Sequence, residues 1–433
     1  MLKGGIVMYK VVIIGGGWAG CAAAITAKKA GAQVAILERT DMILGLGNVG
    51  GIMRNNGRYT AAEENILLGA GDLFHITDKL SRHINIDFPG HKHASLYDVA
   101  KIEAQVKKYL KESGIRILTE ARAVDIEKTD TQIKSVLLAD DTKIQGDVFI
   151  ECTGSTGPMG NCLEYGNGCC MCILRCPSFG PRLSISRKAG IDDIMGQRKD
   201  GSYGAFSGSC KLDKGSLSND IVKELNEKGV VILPIKREDI HEEKLDMKVC
   251  QQYAMKEYAR NIILLDTGHA KLMTPFYPLE KLREILGLES ARYIDPYAGS
   301  KGNSIRYLSI APRDDSMKMK GIDNLFCAGE KSGLFVGHTE AIVTGSLAGH
   351  NSVRYLKGIR MLNIPNQIAI GDLIAYANEH IHLKEGLMTR YTFAGSDYFE
   401  RMKKRELYTT DIKIIEKRIN RFELKNIYNE KII

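Results

Sequence analysis

A glycine-rich turn near the start of the sequence constrains the fold of this chain more than any other feature. The sequence GGGWAG at residues 15–20 matches the pattern G-x-G-x-x-G. It follows an apolar, β-branched stretch at 9–14 and opens a stretch of small, helix-forming residues at 18–30. In this setting the first glycine permits a tight turn, the second lets a pyrophosphate approach the backbone, and the third lets helix and strand pack closely. The turn therefore predicts a Rossmann-like domain that binds a dinucleotide at the start of its first helix.

An acidic residue stands where such a domain holds the ribose of its ligand. A second apolar stretch at 33–38 ends in Glu38, which comes eighteen residues after Gly20. An acid at this position would accept a hydrogen bond from a ribose 2′-hydroxyl. No other G-x-G-x-x-G follows a predicted strand, so we expect no second turn for NAD(P)H and a reductant that comes from outside.

Two distant segments favour FAD over NAD as the dinucleotide. The sequence FIECTG at 149–154 resembles the strand and Thr-Gly turn of flavin disulfide-reductase-like proteins. The sequence NLFCAGE at 324–330 resembles the late strand that presents an acid or amide to the ribityl chain of the flavin. Their order and spacing agree with a single FAD site that begins at the glycine-rich turn.

Two regions of the chain also resemble the GidA/TrmFO family of tRNA-modifying flavoproteins. The run from 325 to 349 resembles the family segment that closes the FAD site and starts the last helix of the FAD-binding domain. The sequence NVGGI at 48–52 resembles the family's flavin loop, and Gly47 stands where the family has its first cysteine. The length of 433 residues is similar to TrmFO and shorter than GidA, which has a longer C-terminal helical region. The resemblance implies an FAD-binding fold and flavin chemistry on a uridine of RNA.

The turn, the strand ends and the flavin loop together give the predicted FAD-binding residues. They are Gly15, Gly17, Trp18, Ala19, Gly20, Glu38, Arg39, Asn48, Gly50, Gly51, Thr153, Gly154, Gly329, Glu330, His338 and Thr339.

Two residues are candidate catalytic groups. Cys250 opens the stretch 250–279, which resembles the TrmFO segment with a redox-active cysteine; alternatively, its thiol packs in the interior. His338 lies in the glycine-rich turn before the last FAD-domain helix, where it would donate to the flavin or a substrate, or cap that helix. Lys331 and Arg54 would place positive charge near the flavin and stabilise its anionic reduced form, unless they are solvated loop cations.

Five of the ten cysteines fall in one short segment. The sequence CCMCILRCP at 169–177 contains C-x2-C-x3-C-P, and a further cysteine lies seven residues upstream. Thiolates this close repel one another unless a metal, a disulfide or protonation relieves their charge. An iron–sulfur cluster or zinc would do so, whereas a redox dithiol and a loop of buried thiols are the alternatives. We expect a metal or cluster site made by Cys162, Cys169, Cys172 and Cys176.

These features predict an α/β protein with a Rossmann-like, glutathione-reductase-like FAD-binding domain. We place this domain at 8–160 and 301–357, an inserted α+β substrate domain at 161–300, and a helical C-terminal segment at 358–433. From residue 400 to the end, the C-terminal segment has ten Lys or Arg against six Asp or Glu. Such a basic segment would suit RNA phosphates, a solvated surface or a dimer contact.

The composition of the chain limits the cellular location and the binding partners that we expect for the protein. No run of eighteen apolar residues occurs, and the first ten residues lack the apolar core of a signal peptide, so we expect a cytoplasmic protein without a membrane partner. The net charge of +8 permits an anionic partner such as RNA. We predict an FAD-dependent oxidoreductase that passes electrons between the flavin and the cysteine site, a small substrate or a protein redox partner. The alternatives are a TrmFO/GidA-like tRNA uridine-modifying enzyme and a scaffold with a structural flavin; the sequence leaves homo-oligomerisation open.

Overall fold

The computed structural model describes residues 6–154, 183–206, 210–274, 277–294, 305–306 and 308–433. In chain order its strands are β1 (Ile6–Ile14), β2 (Val34–Leu37), β3 (Ile52–Met53), β4 (Ser81–Phe88), β5 (His91–Tyr97), β6 (Arg116–Leu118), β7 (Ala123–Lys128), β8 (Ile133–Leu138), β9 (Lys143–Glu151), β10 (Ile194–Met195), β11 (Ala205–Phe206), β12 (Cys210–Leu212), β13 (Val230–Pro234), β14 (Asn261–Asp266), β15 (Ala270–Leu272), β16 (Ile305–Arg306), β17 (Ser309–Ile310) and β18 (Leu325–Cys327). Its α-helices are α1 (Trp18–Lys29), α2 (Gly47–Gly50), α3 (Gly57–Leu67), α4 (Asp72–Lys79), α5 (Ile102–Glu112), α6 (Ile185–Lys188), α7 (Asn219–Lys228), α8 (Lys256–Arg260), α9 (Leu279–Leu282), α10 (His338–Lys357), α11 (Ala369–His380), α12 (Lys384–Met388), α13 (Ser396–Lys404) and α14 (Ile412–Arg421).

The main sheet has the strand order β6-β2-β1-β9-β8-β7, with β18 also beside β9. Strands β6, β2, β1, β9 and β18 run parallel, and β8 is antiparallel to both of its neighbours, β9 and β7. The parallel strands are apolar and buried where they meet, as expected for a sheet that helices cover on both faces. The carboxyl ends of β1, β2, β9 and β18 therefore lie along one edge, which is where α/β sheets bind their ligands.

Helices α1 and α10 pack closely against each other beside this sheet. An added Cβ at Gly345 would lie 2.2 Å from the carbonyl oxygen of Ala19, and one at Gly349 would lie 2.1 Å from that of Ala23. Only glycine allows the two backbones to approach this closely. The contact fixes the starts of both helices at the ligand-binding edge of the sheet.

A second, smaller sheet has the antiparallel order β12-β15-β14-β13. Helix α7 packs against it, with Ile221 and Leu225 buried among the apolar side chains of the strands. The three-stranded sheet β3-β5-β4 lies in a further apolar cluster that includes residues of β14. These sheets form a mixed α+β region next to the main sheet.

The C-terminal helices pack onto α3 and α1. The buried carboxylate of Glu64 accepts hydrogen bonds from the N–H groups of Ala369 and Ile370 at the start of α11, and it pairs with Arg418 of α14 at 3.2 Å. Burial raises the pKa of Glu64 to about 7, although the two N–H groups and Arg418 oppose this. The last residues also join the FAD-domain core, since the N–H of Ile433 donates to the carbonyl of Ala30 at 3.1 Å.

The architecture expected from the sequence is confirmed, but two local predictions are wrong. Strand β1 begins at Ile6 rather than near residue 9, because Ile6 continues the pairing with β9. The sequence pattern at 249–260 predicts one helix, but a 3-10 helix at Gln251–Tyr253 precedes α8 there. His91 lies 3.0 Å from the carbonyl oxygen of Gln252, which takes that oxygen out of a helical ladder. Within the described ranges, none of the helices combines the length and the hydropathy needed to cross a bilayer.

Candidate functional site

The glycine-rich turn between β1 and α1 leaves an open space beside Gly17, the second glycine of the pattern G-x-G-x-x-G. Gly15 has a φ of +105°, and an added Cβ there would lie 2.3 Å from the carbonyl oxygen of Cys152. An added Cβ at Gly20 would lie 1.9 Å from the carbonyl oxygen of Gly15. By contrast, an added Cβ at Gly17 would meet no atom of the described residues within 4 Å. The first and third glycines are therefore required by the protein itself, whereas the second borders a cradle with room for a ligand.

The start of α1 provides the polar groups for that cradle. Gly17 is the N-cap residue and has no side chain with which to cap the helix, and the first turn of the helix has no acidic residue. The first N–H groups of a helix lack partners within the helix and carry partial positive charge, so they bind phosphate oxygens well. The open cradle and the uncapped helix start fit a pyrophosphate.

Glu38 lies beside this turn at the end of β2. Its carboxylate is 8% exposed and accepts hydrogen bonds from the N–H of Gly16 at 2.9 Å and from the N–H of Thr40 at 2.9 Å. These contacts hold the side chain of Glu38 at the ligand-binding edge, where the sequence predicts a ribose-binding residue. Arg39 follows it and is half-buried.

The flavin loop, α2 with Gly51, packs across the first residues of both α1 and α10. The hydroxyl of Tyr97 donates to the carbonyl of Gly47 at 2.6 Å. An added Cβ at Gly47 would lie 2.6 Å from Nε1 of Trp18, and one at Gly50 would lie 1.8 Å from Cε1 of His338. A larger residue at position 47 would therefore overlap the indole of Trp18.

A buried polar atom in the flavin loop is left for a ligand. The Nδ2 group of Asn48 donates to the carbonyl of Ile43 at 2.8 Å. Its Oδ1 atom is buried and has no hydrogen-bond partner among the described residues. Because a buried acceptor without a partner is costly, this atom fits a site that a ligand N–H or O–H completes.

The ends of β9 and β18 complete the site on its other side. Gly154 has a φ of +67°, and among the residues that the structure describes an added Cβ there would meet no atom within 4 Å. The neighbouring Thr153 hydroxyl donates to Oε1 of Glu151 at 3.1 Å. Gly329 also has a φ of +67° and approaches Ala19 of α1, and Glu330 follows it in a half-buried position.

The first residues of α10 face the flavin loop. His338 is the first residue of the helix, and its Nδ1 atom lies 3.2 Å from the hydroxyl of Tyr97. Thr339 is buried and donates its hydroxyl to the sulfur of Met53 at 3.4 Å. The structure thus gathers the predicted turn, flavin loop, strand ends and His338 at one edge of the main sheet.

Comparison with known proteins assigns this arrangement to a family. A family model described as glucose inhibited division protein A (GIDA) matches residues 10–273 and 269–360. This chain belongs to the GIDA family. One relative, the methylenetetrahydrofolate–tRNA-(uracil-5-)-methyltransferase TrmFO of Bacillus pumilus (strain SAFR-032), is 30% identical over 97 residues. That alignment covers 22% of this chain and 22% of the length of the relative.

Solved structures agree with the GIDA assignment at the level of the fold. Two crystal forms of Aquifex aeolicus GidA match this chain with TM-scores of 0.65 and 0.61, at 17% and 16% sequence identity. The alignments cover 96% of this chain and 77% and 79% of those chains. The predicted family, the α/β flavoprotein fold and the FAD cofactor are confirmed, and this GIDA-family chain is an FAD-dependent enzyme.

Cys250 and the flavin loop of this GIDA-family enzyme both interact with Lys271. Lys271 donates to the carbonyl of Val49 in the loop at 3.0 Å, and the thiol of Cys250 lies close enough to Lys271 to act on its pKa. Cys250 is half-buried, whereas the other cysteines of the described ranges are buried. For example, burial raises the pKa of the Cys327 thiol to about 12, so Cys327 packs in the core as expected.

The two cations expected near the flavin are instead neutralised by acids. Lys331 is fully buried, and its ammonium group lies 2.8 Å from a carboxylate oxygen of Asp193. The guanidinium group of Arg54 is bound by the carboxylates of Glu63 and Asp78. None of these three acids could be identified from the sequence as a partner, because each is brought to its cation only by the tertiary fold. Neither Lys331 nor Arg54 is therefore an uncompensated positive charge.

Sequence reasoning also missed a buried ion pair that supports the start of α10. The Nε atom of Arg58 lies 3.0 Å from both carboxylate oxygens of Glu340, and Arg58 also donates to the carbonyl of Val336 at 2.8 Å. Glu340 further accepts a hydrogen bond from the N–H of Phe393 at 2.9 Å. The pair thus joins α3, the start of α10 and the C-terminal segment beside the flavin loop.

The predicted metal or cluster ligands lie outside the described residues. They are Cys162, Cys169, Cys172 and Cys176. Elsewhere in the chain, over the ranges that are described, no group of three His, Cys, Asp or Glu side chains is arranged to hold a metal ion.

Proposed function

We propose that this enzyme uses reduced FAD to modify a uridine of tRNA. The observation that carries the proposal is the family match over residues 10–273 and 269–360, which spans the cradle, the flavin loop and the smaller sheet. The relative that shares 30% identity over 97 residues is named for methylation of uracil in tRNA. We therefore take RNA as the substrate and the cytoplasm as the location of the reaction.

The residues of the cradle bind and orient the cofactor. The N–H groups at the start of α1 bind the pyrophosphate, because the space beside Gly17 is open to them. Glu38 accepts a hydrogen bond from a ribose hydroxyl. Oδ1 of Asn48, which has no partner among the described residues, accepts a hydrogen bond from a polar hydrogen of the cofactor. When bound there, FAD supplies two reducing electrons for the substrate.

His338 and Cys250 are the proposed catalytic side chains. His338 has an ionisable ring at the start of α10 and a hydroxyl of Tyr97 that fixes the ring at 3.2 Å, so it is suited to hold or donate a proton beside the flavin loop. Cys250 retains exposed surface and lies close to Lys271, so it is the proposed nucleophile or redox thiol.

The basic C-terminal segment supports an RNA partner. Exposed positive side chains on α13 and α14 include Lys404, Lys413, Lys417 and Arg421. Lys and Arg side chains of this kind bind phosphates, and each phosphate contact makes the affinity fall as salt rises. We expect tRNA to bind through this surface with its uridine directed to the flavin loop.

A titration of the FAD-loaded protein with unmodified tRNA tests this proposal. If the uridine docks beside the flavin, the visible flavin absorbance changes in a saturable way, and a single-stranded DNA of the same length causes no such change. The same titration at several salt concentrations should show a linear fall of log affinity with log salt. Absence of any spectral change at concentrations where tRNA is bound would contradict the proposal.

Electron exchange with the cysteine segment is a second candidate function. Gly154 lies at the ligand-binding edge, and Cys162 follows it by eight residues. A chain of eight residues spans at most ~29 Å, which sets the upper limit on the distance between Gly154 and Cys162. Iron, sulfide and zinc analysis after anaerobic purification tests this: a metal bound in proportion to FAD supports it, and metal-free protein with unreactive thiols contradicts it.

A further inference from the structure

One buried tyrosine joins the flavin loop to the histidine at the start of α10. Tyr97, the last residue of β5, is fully buried. Its backbone N–H donates to the carbonyl of Gly51 at 3.0 Å, and its hydroxyl donates to the carbonyl of Gly47 at 2.6 Å. The same hydroxyl lies 3.2 Å from Nδ1 of His338. Tyr97 thus contacts both ends of the flavin loop and one particular nitrogen of the His338 ring.

The short distance between the Tyr97 hydroxyl and the Gly47 carbonyl determines where the hydroxyl hydrogen lies. A hydroxyl has one hydrogen to donate, and a carbonyl oxygen can only accept. Two oxygen atoms that are 2.6 Å apart need this hydrogen between them, because their lone pairs would otherwise repel each other. The hydroxyl therefore directs a lone pair, and not its hydrogen, toward His338.

Nδ1 of His338 is consequently the donor in its contact with Tyr97. A neutral imidazole has one nitrogen that carries hydrogen and one nitrogen that accepts. Because Nδ1 faces a lone pair of the hydroxyl at 3.2 Å, a hydrogen bond forms there only when Nδ1 carries the hydrogen. The lone pair of the neutral ring is then on Nε2. This atom lies at the flavin loop, since an added Cβ at Gly50 would be 2.4 Å from it.

The surrounding rings and the chemistry of Tyr97 keep this arrangement in place. The ring centroids of Tyr97 and His338 are 6.0 Å apart, and the ring of Trp18 lies 5.9 Å from the first and 6.1 Å from the second. Burial raises the pKa of the Tyr97 hydroxyl far above its usual range, so the hydroxyl keeps its hydrogen at physiological pH. The hydroxyl accepts from Nδ1 whether His338 is neutral or protonated, because Nδ1 carries hydrogen in both states.

We propose that Tyr97 is a positioning residue that fixes the tautomer of His338, so that Nε2 is the atom at which His338 takes up and returns a proton. The lone pair of Nε2 forms an N–H bond as the bond between that proton and a substrate atom breaks, and the electrons of the broken bond stay on the substrate. The ring gains one positive charge, the substrate gains one negative charge, and return of the proton reverses both. The role of this step in the reaction rests on the proposed function, whereas the tautomer does not.

The tautomer is measured by nitrogen NMR of the His338 ring in the FAD-loaded protein without RNA. Ring nitrogens with and without hydrogen have well-separated chemical shifts, and His338→Gln identifies the signals of this ring. Spectra are recorded at a pH where the ring is neutral and again as the pH is lowered. Tyr97→Phe removes only the hydroxyl. Tyr258→Phe is the matched control, because it removes a buried hydroxyl that donates to a different carbonyl, that of Pro89 at 2.9 Å.

We expect the neutral His338 ring of the wild type to carry its hydrogen on Nδ1 and to take up the second proton at Nε2. Tyr97→Phe should lower the ratio of the Nδ1–H to the Nε2–H tautomer by about fivefold or more, as expected for the loss of one hydrogen bond, and Tyr258→Phe should keep the wild-type ratio. FAD content and thermal unfolding show whether each variant is folded.

A wild-type ring that carries its hydrogen on Nε2 would overturn the inference, whatever the tRNA titration shows. An unchanged ratio in folded Tyr97→Phe would overturn it as well. If Tyr97→Phe fails to fold, the wild-type spectrum decides the matter, because the inference requires hydrogen on Nδ1 there.

Discussion

Replacing Gly17 with valine should separate FAD binding from folding. The φ of Gly17 is −68°, which any residue adopts, and an added Cβ meets no atom of the described residues within 4 Å. Because valine is a poorer N-cap residue than glycine, the free energy of unfolding of the FAD-free protein should fall by about 1 kcal/mol at most. The valine side chain would occupy the cradle and keep the pyrophosphate from the start of α1. Losing two charge-assisted hydrogen bonds costs about 3–6 kcal/mol, which corresponds to a roughly 100-fold to 10,000-fold weaker affinity.

The assay combines urea unfolding of the FAD-free protein with titration of FAD by its fluorescence. Gly20→Val is the matched control, because its Cβ would lie 1.9 Å from the carbonyl oxygen of Gly15 and should prevent α1 from packing on β1. We expect Gly17→Val to be folded and colourless and Gly20→Val to be unfolded or strongly destabilised. Yellow Gly17→Val protein with the wild-type affinity for FAD would refute this account of the cradle.

Three further predictions concern buried and catalytic groups. Burial lowers the pKa of His91 to about 3 from the 6.5 of an unfolded histidine, so the stability that its neutral ring contributes is complete above pH 6.5 and is lost as the pH falls towards 3. At pH 5 the loss is about 2 kcal/mol, so the free energy of unfolding measured in urea should change between pH 7.5 and pH 5 by this much less in His91→Gln than in the wild type. An equal change in both proteins would be the contrary result. Arg58→Met leaves Glu340 buried without its cation and should destabilise the protein by about 3–5 kcal/mol in urea unfolding, whereas Arg58→Met with Glu340→Gln should recover part of that loss; a single variant as stable as wild type would contradict the role of the pair. Cys250→Ser should keep the FAD content and lose at least tenfold in the rate of tRNA modification, and unchanged turnover would exclude Cys250 from the reaction.

The parts of the fold set by local pattern were predictable from the sequence. The spacing of glycines at 15–20, the apolar stretch before them and the acid at Glu38 led to β1, α1 and β2 in their observed order. The last FAD-domain helix, predicted at 339–356, occupies His338–Lys357. In these segments each element is determined by residues that are next to each other in the chain. The turn adds steric limits that only glycine satisfies.

The parts that depend on distant partners were not predictable. The stretch at 249–260 has a helical pattern, but its hydrogen bonding is altered by His91, which is 161 residues away from Gln252 in the sequence. The positive charges of Lys331 and Arg54 are neutralised by acids that only the tertiary fold brings near them. Conversely, no pattern in the sequence marks Lys271 as a site residue, because its contact with the flavin loop depends on the position of β15 in the tertiary fold.

The central claim, that this FAD-dependent enzyme acts on a uridine of tRNA, is tested most directly by nucleoside mass spectrometry of cellular tRNA. Total tRNA is compared between cells that lack this chain and the same cells carrying either the wild-type chain or Gly17→Val. We predict that one modified uridine is missing without the chain, returns with the wild type, and stays missing with the variant that does not bind FAD. Identical nucleoside profiles in all three samples would contradict the claim.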